Sequence, residues 1–239
     1  MRNIHLTLQG KGGVGKTFIA SLITQSLIFR EQPVVAIDAD PVNSTFAGYK
    51  KIGAKALPIM EGNSLVERNY DLMMERFFKE DSNFVVDNGA SSFVPLSNYL
   101  ISNKAINMIV EKGKDVVIHT VITGGQGILD TMHGFVALAE QMPSCAEIIV
   151  WINEFFGNAQ YNNISFEKSK AYEKHKDRIL GIVRLPKYPE NTYGVDIEQM
   201  LREKLTFDEV AASDDFNIMS KSRLFRVKNA IFAQLELLF

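Results

Sequence analysis

Hydrophobic residues fall in short, β-branched runs along the chain, at residues 4–8, 34–38, 84–87, 116–121, 148–153 and 179–185. The first alternates, with Ile4, Leu6 and Leu8 separated by polar neighbours, as a strand does. Several of the others are continuous, which suits strands covered on both faces. Between the runs, apolar positions recur at helical spacing: Phe18, Ile19, Leu22, Ile23, Leu27 and Ile28 predict a helix over residues 16–30. Ser64 and Glu67 have capping-box spacing and predict a helix running from there toward Phe78. Further helices are predicted over 128–141, 165–176, 195–205 and 223–238. Strands alternating with helices specify an α/β fold, a doubly wound, mainly parallel sheet with helices on both faces and ligands at the carboxyl ends of its strands. Without a repeat, low-complexity tract or linker, one domain is expected over residues 1–239.

The loop after the first run reads Gly10-Lys11-Gly12-Gly13-Val14-Gly15-Lys16-Thr17 and satisfies G-x-x-x-x-G-K-[ST]. A glycine-rich turn of this kind bares backbone N–H groups toward nucleotide phosphates. The strand before it and the helix opening at Lys16 supply the required context, because a helix N-terminus aims its partial positive charge at an anion. Lys16 is expected to reach the β- and γ-phosphates, and the Thr17 hydroxyl to ligate Mg²⁺. Residues 10–18, including Val14 and Phe18, form the expected nucleotide-binding segment.

Two acidic strand ends extend the site. The second run closes in Asp38-Ala39-Asp40-Pro41, and its carboxylates, on a strand expected next to the loop strand, would face the γ-phosphate. One can hold Mg²⁺ through water while the other positions or deprotonates the attacking water. The third run closes in Asp87, followed by Gly89. An apolar strand ending in aspartate commonly supplies a second magnesium element beside a phosphate loop of this pattern, so Asp87 joins Thr17 and Asp38 in the expected metal shell.

Composition narrows the setting. A chain with 46% apolar and 23% charged residues is an ordinary globular protein. The net charge of −2 argues against a protein built mainly to neutralise nucleic acid. Cys145 is the only cysteine, which excludes an internal disulfide framework and suits a reducing cytoplasm. No apolar run reaches the roughly 18 residues of a membrane span, and the chain enters a strand at once, without a secretory signal. A cytoplasmic location is expected.

The motif from Lys11 to Thr17, Asp38-Ala39-Asp40-Pro41 and the strand ending in Asp87 together resemble the deviant Walker A ATPases, the partitioning and septum-positioning group of ParA and MinD. Thr123-Gly124-Gly125-Gln126-Gly127 and the run from Trp151 to Gly157 look closer to the plasmid-borne StbB and TraL branch, linked to plasmid stability or conjugal transfer. The resemblance implies a slow, partner-stimulated ATPase that uses ATP and Mg²⁺ and forms a homodimer. In that dimer Lys11 would cross to the partner's phosphates, Asp40 would position water, and Asp38 would support it. It further implies that Asn153 reads adenine and that Pro186 offers backbone contacts to the base. The implied partner is another plasmid-encoded stability or transfer protein, or a DNA-bound adaptor. The chain departs from the group in Asn88-Gly89-Ala90-Ser91-Ser92 after Asp87, where a threonine and prolines are common, and in Val42-Asn43-Ser44-Thr45-Phe46 after Pro41.

Weaker signals carry open alternatives. The turn from Thr123 to Gly127 is either a second phosphate-facing loop or tight strand-to-helix packing. Phe155 and Phe156 are read as core residues ahead of a partner patch. Lys221, Arg223, Arg226 and Lys228 crowd the start of the last helix, beside an apolar stripe of Leu224, Val227, Ile231, Leu235 and Leu238. They either contact DNA phosphates or acidic lipid, giving a peripheral nucleoid or inner-membrane location, or form the solvated edge of a packed helix. The competing functions are a small-molecule kinase or ligase and a nucleotide-binding module without turnover. An iron–sulfur electron carrier sharing the loop is excluded, since a bridged cluster needs two cysteines per chain.

Overall fold

The computed structural model describes residues 2–62 and 64–239. Its centre is a parallel sheet of seven strands: β1 (Arg2–Thr7), β2 (Val34–Ala39), β3 (Lys55–Ala56), β6 (Asn83–Asn88), β7 (Lys114–Thr123), β8 (Ala146–Asn153) and β11 (Ile179–Leu185). Two small antiparallel pairs lie outside it, β4 (Met60–Glu61) with β5 (Ser64–Leu65), and β9 (Gln160–Tyr161) with β10 (Ile164–Ser165). The sheet order is β11-β8-β7-β1-β6-β2-β3. Strand order reverses at β1, the place where such sheets open a crevice at their carboxyl ends.

Alternation along the strands feeds two cores. Ile4, Leu6, Phe84, Val86, Ile118 and Ile148 point to one face. It is covered by α2 (Tyr70–Lys79), α3 (Phe93–Ser102), α4 (Ala105–Glu111), α5 (Ile128–Gln141) and α6 (Lys170–His175). Val85, Val117, Ile149, Trp151 and Val183 point to the other. There α1 (Lys16–Phe29), α7 (Val195–Arg202), α8 (Phe207–Ala212) and α9 (Ile218–Glu236) pack. The doubly wound architecture is as the pattern required.

Several local expectations are corrected. Ser64 does not cap a helix: it pairs with Glu61 in a two-residue strand, and α2 starts only at Tyr70 after a tight turn over Glu67–Asn69. The last helix begins at Ile218, five residues earlier than its charge pattern indicated, because Asn217 Oδ1 accepts the N–H groups of Met219 and Ser220. The helix predicted over 165–176 shortens to α6, capped by Ser169. Strand β2 is not next to β1; β6 lies between them. That insertion sets the site's geometry.

Candidate active site

The register of the three central strands lines up Thr7, Asp87 and Asp38 in one row across β1, β6 and β2. The P-loop springs from the end of β1 directly above that row. Gly13 and Gly15 carry it through left-handed backbone, with φ of 74° and 99°, conformations that glycine adopts without strain. A side chain at Gly15 would also meet Asn153 Nδ2 at 3.2 Å. Asn153, at the end of β8, donates to Val14 O at 3.0 Å and accepts the Phe155 N–H at 3.1 Å, so its amide fixes both the P-loop and the following segment.

Lys16 turns inward and is buried, donating to Lys11 O at 3.0 Å. Burial lowers its pKa, and the charges of Asp87 and Asp40 oppose that shift. Lys11 points the other way. Its ammonium is exposed and pairs with Asp130 Oδ2 of α5 at 2.8 Å.

Asp87 is 2% exposed, and burial pushes its pKa up to about 7, against hydrogen bonds from Thr17 and Thr7. A carboxylate held this far out of water gains from an added positive charge. Only oxygen donors, the Thr17 hydroxyl and the Asp87 carboxylate, meet there, and these are the ligands a Mg²⁺ ion takes when it keeps waters and phosphate oxygens for its other positions. The residues present fit that ion.

Asp38 and Asp40 divide their work. Asp38 is buried, and burial raises its pKa. Its oxygens accept the N–H groups of Asp40 at 3.0 Å and Ala47 at 2.8 Å, so it braces the loop from Asp40 to Ala47. Asp40 is half-buried and accepts from Val42 N at 2.9 Å. Its carboxylate lies where a Cβ on Gly89 would be, 2.6 Å from Cγ. Gly89 therefore lets the loop after Asp87 approach Asp40.

Beside the P-loop lies a cavity of about 530 Å³. Gly13, Gly15, Phe18, Asn153 and Pro186 line the side toward the P-loop. Ile197, Leu201, Val227 and Ile231 of α7 and α9 line its apolar floor. Phosphate loop, acidic row and cavity are thus contiguous, although their residues come from seven separate segments.

Residues 6–191 match the CobQ/CobB/MinD/ParA nucleotide-binding domain family. The chain belongs to that family. Two proteins of Escherichia coli, each named Protein TraL, are 46% and 44% identical to it over 236 residues, covering 99% of this chain and 98% of theirs. Among solved structures, the MinD cell division protein of Aquifex aeolicus covers 98% of this chain and 97% of its own, at a TM-score of 0.50 and 16% identity. The MinC:MinD cell division protein complex of the same organism gives 0.51 and 15%, covering 98% and 96%. These last two share the fold.

Three polar residues that the motifs did not reveal also contact the P-loop or the acidic row. Thr7 lies 3.0 Å from Asp87 Oδ1 and accepts the Asn88 N–H at 3.3 Å. Gln9, fully buried, donates to Val121 O and Thr131 O, tying the base of the P-loop to β7 and α5. Asp130 holds Lys11. Polar residues at a strand end or in a first helical turn are common, so none of the three stood out in the sequence.

Phe155 and Phe156 overturn their expected place in the core: they are 61% and 52% exposed and line the cavity mouth. The turn from Thr123 to Gly127 packs under the segment that carries them, since a Cβ on Gly124 would meet Gly157 O at 2.1 Å. Of the basic residues at the last helix, Arg223 pairs with Asp196 at 2.5 Å and Lys228 with Asp208 at 2.8 Å. Leu224, Val227, Ile231 and Leu235 are buried against the sheet. No helix among the described residues is long and apolar enough to cross a membrane.

Proposed function

We propose that this protein is an ATP-dependent dimerisation switch that hydrolyses ATP slowly, under partner stimulation, in plasmid stability, positioning or conjugal transfer. The observation that carries this reading is the opposed orientation of the two loop lysines. Lys16 is committed to the interior beside Asp87, whereas Lys11 stands on the outer face of the same loop, within reach of another molecule. The full-length likeness to the TraL proteins supports the plasmid setting.

In this reading the N–H groups of residues 10–17 cradle the phosphates, and Lys16 neutralises the β- and γ-oxygens. Thr17 and Asp87 would hold Mg²⁺ with Asp38 in support, and the ion would neutralise phosphate charge. Asp40 orients the attacking water and accepts its proton. Lys11 from the second subunit stabilises charge developing on the transferred phosphoryl group, an effect that in comparable arrangements is worth about three to five powers of ten in rate. Phe18, Asn153 and Pro186 border the base. Because a lone subunit lacks the trans lysine, turnover requires the dimer, and product release separates it.

The partner is another plasmid-encoded stability or transfer protein or a DNA-bound adaptor, met in the cytoplasm at the nucleoid or inner membrane. With Arg223 and Lys228 paired, Lys221 and Arg226 are the cations of the α9 start left to meet DNA or acidic lipid.

Light scattering with a non-hydrolysable ATP analogue and Mg²⁺ tests the switch. A doubling of mass that disappears with ADP supports it; a monomer in both states refutes it. ATP turnover that depends on an added metabolite would instead favour a kinase or ligase on the same site.

A further inference from the structure

The segment after β8 holds its backbone firmly and leaves its rings in solvent. Phe155 N–H donates to Asn153 Oδ1 at 3.1 Å, and Gly157 N–H closes a turn onto Glu154 O at 3.0 Å. Gly157 takes φ of 118°, which lets that turn form without strain. From below, the main chain rests on Gly124 and Gly125, where a Cβ would stand 2.1 Å from Gly157 O and 3.0 Å from Phe156 O respectively. No side chain larger than hydrogen fits between the two loops at Gly124. The rings of Phe155 and Phe156 meet edge to face with centroids 5.0 Å apart.

Leaving two phenylalanines exposed forfeits the hydrophobic gain that burying each would bring. A fold that pins the backbone on three sides and still leaves the rings out keeps a rigid apolar surface for something that covers it. That surface opens onto the cavity which also touches Gly13, Gly15 and Asn153. Rigid aromatic faces beside an anion-binding loop suit a flat heterocycle joined to phosphates, because every base has a π-face to stack.

We propose that Phe155 and Phe156 form a stacking platform for the nucleobase, one ring offering its face to the base and the other bracing it edge-on, seated on Gly124 and Gly125 and aligned to the P-loop through Asn153. This rests on the reading of the cavity as a nucleotide site. The Thr123–Gly127 turn, on this account, supports the base and not the phosphates. Since stacking reads no hydrogen-bond pattern, the platform strengthens ATP and GTP by the same factor.

Calorimetric titration of the full chain with Mg²⁺ and, in turn, a non-hydrolysable ATP analogue, its GTP counterpart and inorganic tripolyphosphate tests this. In the double variant Phe155→Leu/Phe156→Leu, which keeps apolar bulk but loses the flat rings, both nucleotides weaken roughly tenfold or more. Tripolyphosphate binds as before, and Phe155→Tyr/Phe156→Tyr restores nucleotide affinity. Unchanged nucleotide affinity in the leucine variant overturns the platform, as does an equal loss for tripolyphosphate, which would mean that the segment acts only by shaping the P-loop. A wild-type chain that binds neither nucleotide nor tripolyphosphate overturns the nucleotide reading itself. One that binds tripolyphosphate as tightly as ATP overturns the platform alone.

Discussion

Lys11 and Lys16 sit five residues apart and differ in nearly every physical respect. Lys16 is buried, and the negative charges of Asp87 and Asp40 offset the cost of keeping its ammonium charged there. Lys11 rests in an exposed ion pair, a type of contact that adds little to stability. Lys11→Ala is therefore expected to leave the thermal midpoint almost unchanged and to spare most of the monomer's ATP affinity, while abolishing hydrolysis. An ATPase assay beside a melting curve checks this, and an unaltered rate refutes the trans role. The two aspartates of β2 separate in the same way. Asp38→Ala strips two loop N–H groups of their acceptor and is expected to cost about 2 kcal/mol in urea unfolding. Asp40→Ala leaves the fold near wild type and prolongs the ATP-bound dimer, visible as a persistent doubled mass by light scattering.

Among the elements, the turn between β7 and α5 is where sequence and structure part most instructively. The P-loop and the acidic strand ends were legible because each is a contiguous run whose chemistry is local. Phe155 and Phe156 were not: two aromatics after an apolar strand resemble core, and only the packing of Gly124 against Gly157 holds them at the surface. Strand order was hidden for a related reason. Nothing within β2 records that β6 pairs between it and β1, since that is decided by which hydrophobic faces fit across long separations. Helix α3 went unpredicted because its apolar residues are nearly continuous from Phe93 to Leu96, with Pro95 inside the first turn, where the missing N–H costs nothing. Packing at the turn is testable. Gly124→Ala inserts a methyl group 2.1 Å from a backbone oxygen, so the two loops must part. We expect a loss of roughly 1–3 kcal/mol in chemical denaturation and, through displacement of the aromatic pair, weaker ATP binding. Full wild-type stability would show that the loops are not in contact.

Across the whole molecule, a hydrogen-bonded chain links the three strands β8, β7 and β1 at the sheet's centre. Trp151 Nε1 donates to His119 Nδ1 at 3.0 Å, and His119 Nε2 stands 2.9 Å from His5 Nδ1. Indole nitrogen is a donor only, so the pattern assigns His119 its proton on Nε2 and His5 its proton on Nε2. Each ring's acceptor nitrogen is already engaged, and protonating either ring must break a bond of the chain. Burial, with Arg30 nearby, lowers the His5 pKa to about 3, and burial with His5 lowers that of His119 well below its usual value. Both histidines are thus neutral in the fold and take up protons more readily when unfolded. Their contribution to stability is complete above about pH 6.5 and is lost as pH falls toward the folded-state value. Each contributes a slope of roughly 1.4 kcal/mol per pH unit in that window. Asp87 acts in the opposite sense, since its raised pKa favours the fold as acid is added between its unfolded value and about 7. A difference measurement removes this opposing contribution. Urea midpoints of wild type and His5→Phe, compared at pH 7.5 and 5.0, report the titration of His5 together with its coupling to His119, because the groups outside this pair are common to both proteins. The wild type is expected to lose stability relative to the variant as pH falls. A gap that stays constant between the two pH values would mean that His5 titrates alike in the folded and unfolded chain, and that the sheet's centre admits charge.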